Sequence, residues 1–266
     1  MINIVKIDLL EDLYTLLIDQ EYDAEIERYR SKYLYRGLSN EEYSLVTSLK
    51  RNCKEKQGEL EKSILRNFTK YAAIEDPELK ESVWRQLIIG QHHGLPTRLL
   101  DWTYSPLMAL NFATSGEEMS YMDKQNCVVW KIDIEELNSK LSIIYQKKLK
   151  EERAYLFTIE MLDQLEKDLE KYDSDMSGKA MVLIEPPSID QRIINQYSYF
   201  SIIPLQMDDI EEYLNSETIH TTKYIIDKTL KWRIRDMLDQ MNINERVTYP
   251  GLDGLTQWIK RHYYVK

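Results

Sequence analysis

Residues 91–113 read QHHGLPTRLLDWTYSPLMALNFA, and the order of elements inside this stretch decides the fold. Upstream of it, Leu79, Val83, Trp84, Leu87 and Ile88 form an apolar stripe at helical spacing, which predicts a helix over 77–92. Gly94 is a C-terminal stop, and Pro96 forbids continuation. TRLLDWT then reads as a short buried strand. Ser105 followed by Pro106 is a helix start: a side-chain cap, then a proline whose missing N–H costs nothing. The helix that follows, PLMALNFA, is apolar nearly all round and is expected to be buried.

The same reading extends outward. Residues 8–30 scan as a helix opening at Asp8, with Leu9, Leu13, Leu16 and Leu17 along it. YLYRGL (33–38) is a short strand with an arginine near its end. Residues 59–73 are helical, with Leu60, Ile64, Leu65 and Phe68 on one face. CVVWKID (127–133) is a strong strand. Residues 151–172 scan as one charged amphipathic helix, and YDSDMSGK (172–179) as a solvated loop. KAMVLIEPP, QYSYFSIIP and TTKYIID add three strands, and helices are expected at 228–241 and 253–262. Strands and helices mix without regular βαβ alternation. The expected class is therefore α+β, a single domain with a mixed or antiparallel sheet and flanking helices. Residues 1–30 are expected as an N-terminal helical segment, and residues 140–180 as an insert or lid.

The bulk chemistry excludes several functions. A net charge of −10 argues against a broad nucleic-acid face and against an anionic membrane surface, leaving room for a local basic cleft. Cys53 and Cys127 lie far apart in no metal-like spacing, which fits a reducing cytoplasm. The N-terminal run carries acids and lacks a basic start, so it does not read as a secretory signal. No apolar run is long enough for a transmembrane helix.

The dinucleotide and P-loop glycine fingerprints are absent, as are zinc-ligand pairs and a serine nucleophile elbow. His92 and His93 are neighbours, so on a helix they point about 100° apart, and no metal site is expected. His92 falls in line with the core stripe and reads as an interior, hydrogen-bonded histidine. His93 falls on the flank. Arg98 and Asp101 read either as an internal ion pair bracing the loop or as ligand contacts. Asp101 reads equally as an acceptor for N–H groups of the following turn. Tyr35, Arg36 and Gly37 end a strand with a cation and a glycine that permits close approach.

Four segments then carry a resemblance: YRGLSNEEYSLVTSLKR (35–51), QHHGLPTRLLDWTYSPLMALNFA (91–113), RIINQYSYFSI (192–202) and YPGLDGLTQWIK (249–260). Together they resemble FRG domains, named for a Phe/Tyr-Arg-Gly motif that here is Tyr35-Arg36-Gly37. The resemblance runs from about residue 30 to the end, giving a domain over 31–266. FRG domains in turn resemble ADP-ribosyltransferases distantly. Those enzymes start with an aromatic-Arg-Gly strand. They also carry a Ser/Thr-rich strand leading into Asn-Pro-x-x-Ala-x-x-Phe-Ala, matched here by Thr103-Tyr104-Ser105-Pro106, Ala109 and Phe112-Ala113.

The resemblance implies NAD as substrate. It implies an ADP-ribosyltransferase-like role of the toxin or phage-defence kind, in the cytoplasm, on an unknown macromolecular target. Arg36 then holds the pyrophosphate or ribose, Gly37 lets its backbone meet the nicotinamide amide, and Thr103 bonds the nicotinamide ribose. Tyr35 lines the cleft, while Arg98, Asp101 and Arg192 are further cofactor contacts. Where the transferases place a glutamate, this chain offers Gln196, which can hold a ribose hydroxyl but cannot act as a base. Asp101 or Glu185 is then the substitute carboxylate, or His93 the base near neutral pH. The alternatives are a non-catalytic FRG module that binds a nucleotide or a protein, and a hydrolase using His93 and Asp101.

Overall fold

The computed structural model describes residues 1–116 and 118–266. Its strands, in chain order, are β1 (Asn3–Ile7), β2 (Glu21–Asp23), β3 (Arg28–Arg30), β4 (Tyr33–Leu38) and β5 (Leu99–Thr103). They continue with β6 (Cys127–Asp133), β7 (Val182–Ile184), β8 (Ser198–Ile202) and β9 (Thr222–Ile226). Seven of them form one sheet in the order β1-β9-β6-β4-β5-β8-β7. Only the β1–β9 pair is parallel in that sheet. The class is α+β, with β4, the strand of Tyr35, Arg36 and Gly37, at the sheet centre. Among the described residues, no helix is long and apolar enough to cross a membrane.

Period-two alternation puts the two faces of β4 into different cores. Tyr33 and Tyr35 join Val129 and Tyr224 beneath the Pro106–Ala113 helix. Leu34 joins Leu100, Trp102, Trp130 and Ile132 on the opposite face. The Pro106–Ala113 helix starts as its sequence predicts, with the Ser105 hydroxyl accepting from the Met108 N–H at 3.3 Å. Three of its apolar side chains, Ala109, Leu110 and Ala113, are fully buried.

Several expectations are corrected. Residues 8–30 are not one helix: a 3-10 turn (Leu10–Leu13) and a single turn of α-helix (Tyr14–Leu17) lead into the antiparallel β2–β3 hairpin. Tyr22, Ile26 and Tyr29 recur at helical spacing, but all three are exposed, and a helix without a buried face has little to hold it. Tyr22 and Tyr29 meet edge-on across the hairpin instead, and Glu27 takes a left-handed conformation at its turn. The expected helix over 77–92 breaks at Ser82, whose hydroxyl caps a new helix, Val83–His92. The expected helix over 151–172 is three helices, Ile143–Glu152, Ile159–Leu165 and Leu169–Met176. The latter two are capped by Thr158 and Asp168.

Of the supposed loop 172–179, residues 172–176 are the end of that third helix, and only 177–179 turn away from it. Tyr172, Asp173 and Met176 are buried there. Within residues 140–180, Tyr145, Leu149, Phe157, Leu162 and Tyr172 share a core with Trp84, Leu87 and Ile88 of the Val83–His92 helix.

Candidate functional site

Strand β4 pairs with β6 continuously, from Tyr33 opposite Asp133 to Leu38 opposite Val128. Against β5 it pairs at Tyr35 and Thr103 alone, and then the two strands part. Arg36 spans the opening. Its Nη1 donates to the Asp101 carbonyl oxygen at 2.7 Å and lies 3.4 Å from the Asp101 carboxylate. Its Nε is buried with no hydrogen-bond partner among the described residues. Burial pulls the Arg36 guanidinium below its usual pKa, against the opposing pull of Asp101.

Asp101 is fixed from a second side. The Gln91 side-chain amide Nε2 donates to both its oxygens, at 3.1 and 3.0 Å, and the Gln91 Oε1 accepts from the Thr97 hydroxyl at 2.6 Å. The Asp101 side chain remains 54% exposed, so its carboxylate is oriented yet open to a ligand. Gln91 and Thr97 were not singled out from sequence, although Gln91 opens the QHHG motif. The expected pairing of Arg98 with Asp101, and the capping of the following turn by Asp101, do not occur.

Arg98 is instead fully enclosed. Its guanidinium binds both oxygens of Glu61, with Nε donating at 2.8 Å, and Nη1 donates to Asp173 at 2.6 Å. Burial lowers its pKa but is outweighed by the two carboxylates, so the net shift is upward. This is a structural brace and no cofactor contact. The sequence signal was there: Glu61 sits four residues before Leu65, and Asp173 four after Leu169, acids on apolar stripes.

Thr103 and Gln196 are also buried and used internally. The Thr103 hydroxyl donates to the Gln196 carbonyl oxygen at 2.7 Å, and the Gln196 amide donates to the Thr248 carbonyl oxygen at 2.9 Å. Gln196 ends a short helix, Gln191–Gln196, rather than standing on the strand. Tyr35 is a core residue whose phenol burial pushes well above its usual pKa. The close approach that Gly37 permits is that of the Pro106–Ala113 helix: a β-carbon there would lie 2.0 Å from the Ala109 carbonyl oxygen.

His92 is the interior histidine its stripe predicts, with Nε2 in hydrogen-bond contact with Asp190. Burial lowers its pKa, outweighing Asp190. His93 caps the same helix and is exposed beside it, the two rings 5.1 Å apart. Arg192 lies over the Tyr249 ring at 5.2 Å. Glu185 is elsewhere, in a cavity of about 660 Å3 with Tyr104 and Tyr199, where burial raises its pKa. The structure thus brings Arg36 to Asp101, and Thr103 to Gln196. It assigns Arg98 to the core.

Residues 31–121 match the family model for the FRG domain. The FRG resemblance is therefore shown over that segment of the chain. The match takes in the Tyr35-Arg36-Gly37 strand and the 91–113 segment, so both halves of the Arg36–Asp101 opening belong to it. The 192–202 and 249–260 segments lie beyond it; Gln196 of the first bonds Thr103 within the matched region and Thr248, the residue just before the second. No curated protein and no solved structure matches the chain.

Proposed function

We propose that this FRG domain uses NAD as an ADP-ribosyltransferase-like enzyme, with its site where β4 and β5 part. The observation that carries this is Arg36: a guanidinium with a buried, unpartnered Nε beside a half-exposed carboxylate. A buried donor left unpaired costs stability, and a phosphate oxygen supplies what it lacks. Arg36 takes the pyrophosphate. Asp101, held by Gln91, faces the nicotinamide ribose. As the bond from the ribose to nicotinamide breaks, the leaving base keeps the electron pair and positive charge develops on the sugar. A fixed carboxylate stabilises that charge. The acceptor then adds to the sugar, and His93, exposed at the end of the helix that carries Gln91, is assigned as the base that takes its proton. Glu185 is assigned no role, nor are Thr103 and Gln196, whose bonds are internal. An effector of the toxin or phage-defence kind, acting in the cytoplasm, is supported by the family resemblance and by two free cysteines.

A second reading, an FRG module that binds a nucleotide without turnover, is favoured by Gln196, since no glutamate stands at its position. Incubation with NAD labelled on the adenylate portion separates the two. Release of nicotinamide and label transfer, both lost in Asp101→Asn, support the enzyme. Saturable binding without product supports the module. No binding and no product reject both.

A further inference from the structure

A cavity of about 780 Å3 lies between the Gln57–Ala72 helix and the start of the Leu169–Met176 helix. Lys62, Arg66 and Lys70 line one wall at intervals of four, so they share a helix face. Lys80 and Lys167 add cations from two other elements. Lys62 pairs with Glu170, but Arg66, Lys70, Lys80 and Lys167 form no ion pair among the described residues. Asp168 is already engaged, accepting from the Glu170 and Lys171 N–H groups.

Below this rim the lining turns apolar, with Leu65, Val83, Leu169 and Leu205. The Thr69 hydroxyl, which also lines the cavity, is buried without a partner. Like charges at intervals of four destabilise a helix, and here they gather on a chain of net charge −10. An anion bound across them removes that repulsion. Neither Arg36 nor Asp101 lines this cavity.

We propose that the cleft is a second ligand site, for a phosphorylated small molecule. Its phosphates sit among Arg66, Lys70, Lys80 and Lys167, and its apolar or aromatic part lies on Leu65, Val83 and Leu205. Arg98 closes the base through Glu61 and Asp173, and stands three residues before Asp101 on the chain, about 10 Å along an extended strand. Arg98 is the residue just before β5, so the second site abuts the strand that carries Asp101.

The test uses ATP and pyrophosphate as probes in calorimetric titrations of the full chain. The double variant Arg66→Glu/Lys167→Glu changes exposed side chains only, so the fold is retained. Both probes are expected to saturate, ATP the tighter. Affinity is expected to fall by about tenfold or more in the double variant, to fall with added salt, and to be unchanged in Arg36→Ala. No saturation up to about 10 mM of either probe, or affinity unchanged in the double variant, overturns the proposal. So does binding that is lost in Arg36→Ala and kept in the double variant, which places the ligand at the other site. A short single-stranded RNA that binds tighter than ATP also overturns it, in favour of a nucleic-acid surface.

Discussion

Gly37 lies directly against Ala109: a β-carbon on Gly37 would stand 2.0 Å from the Ala109 carbonyl oxygen and 2.6 Å from the Ala113 nitrogen. Both contacts are backbone, so no rotamer change relieves them. Gly37→Ala is expected to cost at least about 3 kcal/mol, read as a lower denaturation midpoint. Gly94→Ala meets nothing within 4 Å but keeps φ at +81°, and is expected to cost about 1 kcal/mol. Equal effects at the two glycines would contradict the packing described.

The Arg98 brace gives a second contrast. Glu61→Ala or Asp173→Ala leaves a buried guanidinium short of a partner and is expected to cost about 3–5 kcal/mol. Asp101→Asn, at a half-exposed carboxylate, is expected to stay within about 1 kcal/mol of the parent. Chemical denaturation of the three variants checks both expectations.

His92 sets a pH dependence. Its folded pKa is depressed by burial, so the unfolded chain binds its proton more readily. Its contribution is full above the ordinary histidine value of about 6.5 and is lost as pH falls through the folded value. Asp190 acts in the same direction at lower pH: burial opposes ionisation there, but the Ile193 N–H and His92 hold its pKa below the usual carboxylate range. His92→Gln is expected to flatten stability against pH just below about 6.5, measured as urea midpoints across a pH series.

Gln196→Glu restores on paper the acid of the transferase pattern. The side chain here is buried and donates to the Thr248 carbonyl oxygen, which a carboxylate cannot do. The variant is expected to gain no nicotinamide release. It is expected to lose about 2 kcal/mol or more of stability at pH 7. A gain in turnover would put the glutamate position back in the site.

How much of this was legible in the sequence follows from what each signal encodes. Ser105-Pro106, Gly94 and the YLYRGL and CVVWKID strands are local signals, and each element stands where it was expected. The 8–30 region misled because the Leu9, Leu13, Leu16 and Leu17 spacing holds only as far as Leu17, after which the chain turns into the exposed β2–β3 hairpin. The 151–172 region misled because Thr158 and Asp168 cap helices inside an apparently continuous stripe. In the candidate site, Arg36 and Asp101 could be named but not joined, since the parting of β4 from β5 is a property of three strands. Arg98 was misread because its partners, Glu61 and Asp173, stand 37 and 75 residues away.

Calorimetric titration of NAD into the parent chain and into Arg36→Ala, with circular dichroism confirming that the variant is folded, tests the central claim most directly. The account predicts saturable binding by the parent and a loss of about 2 kcal/mol, roughly thirtyfold in affinity, in the variant. No binding of NAD by the parent, or equal affinity in the folded variant, would contradict it.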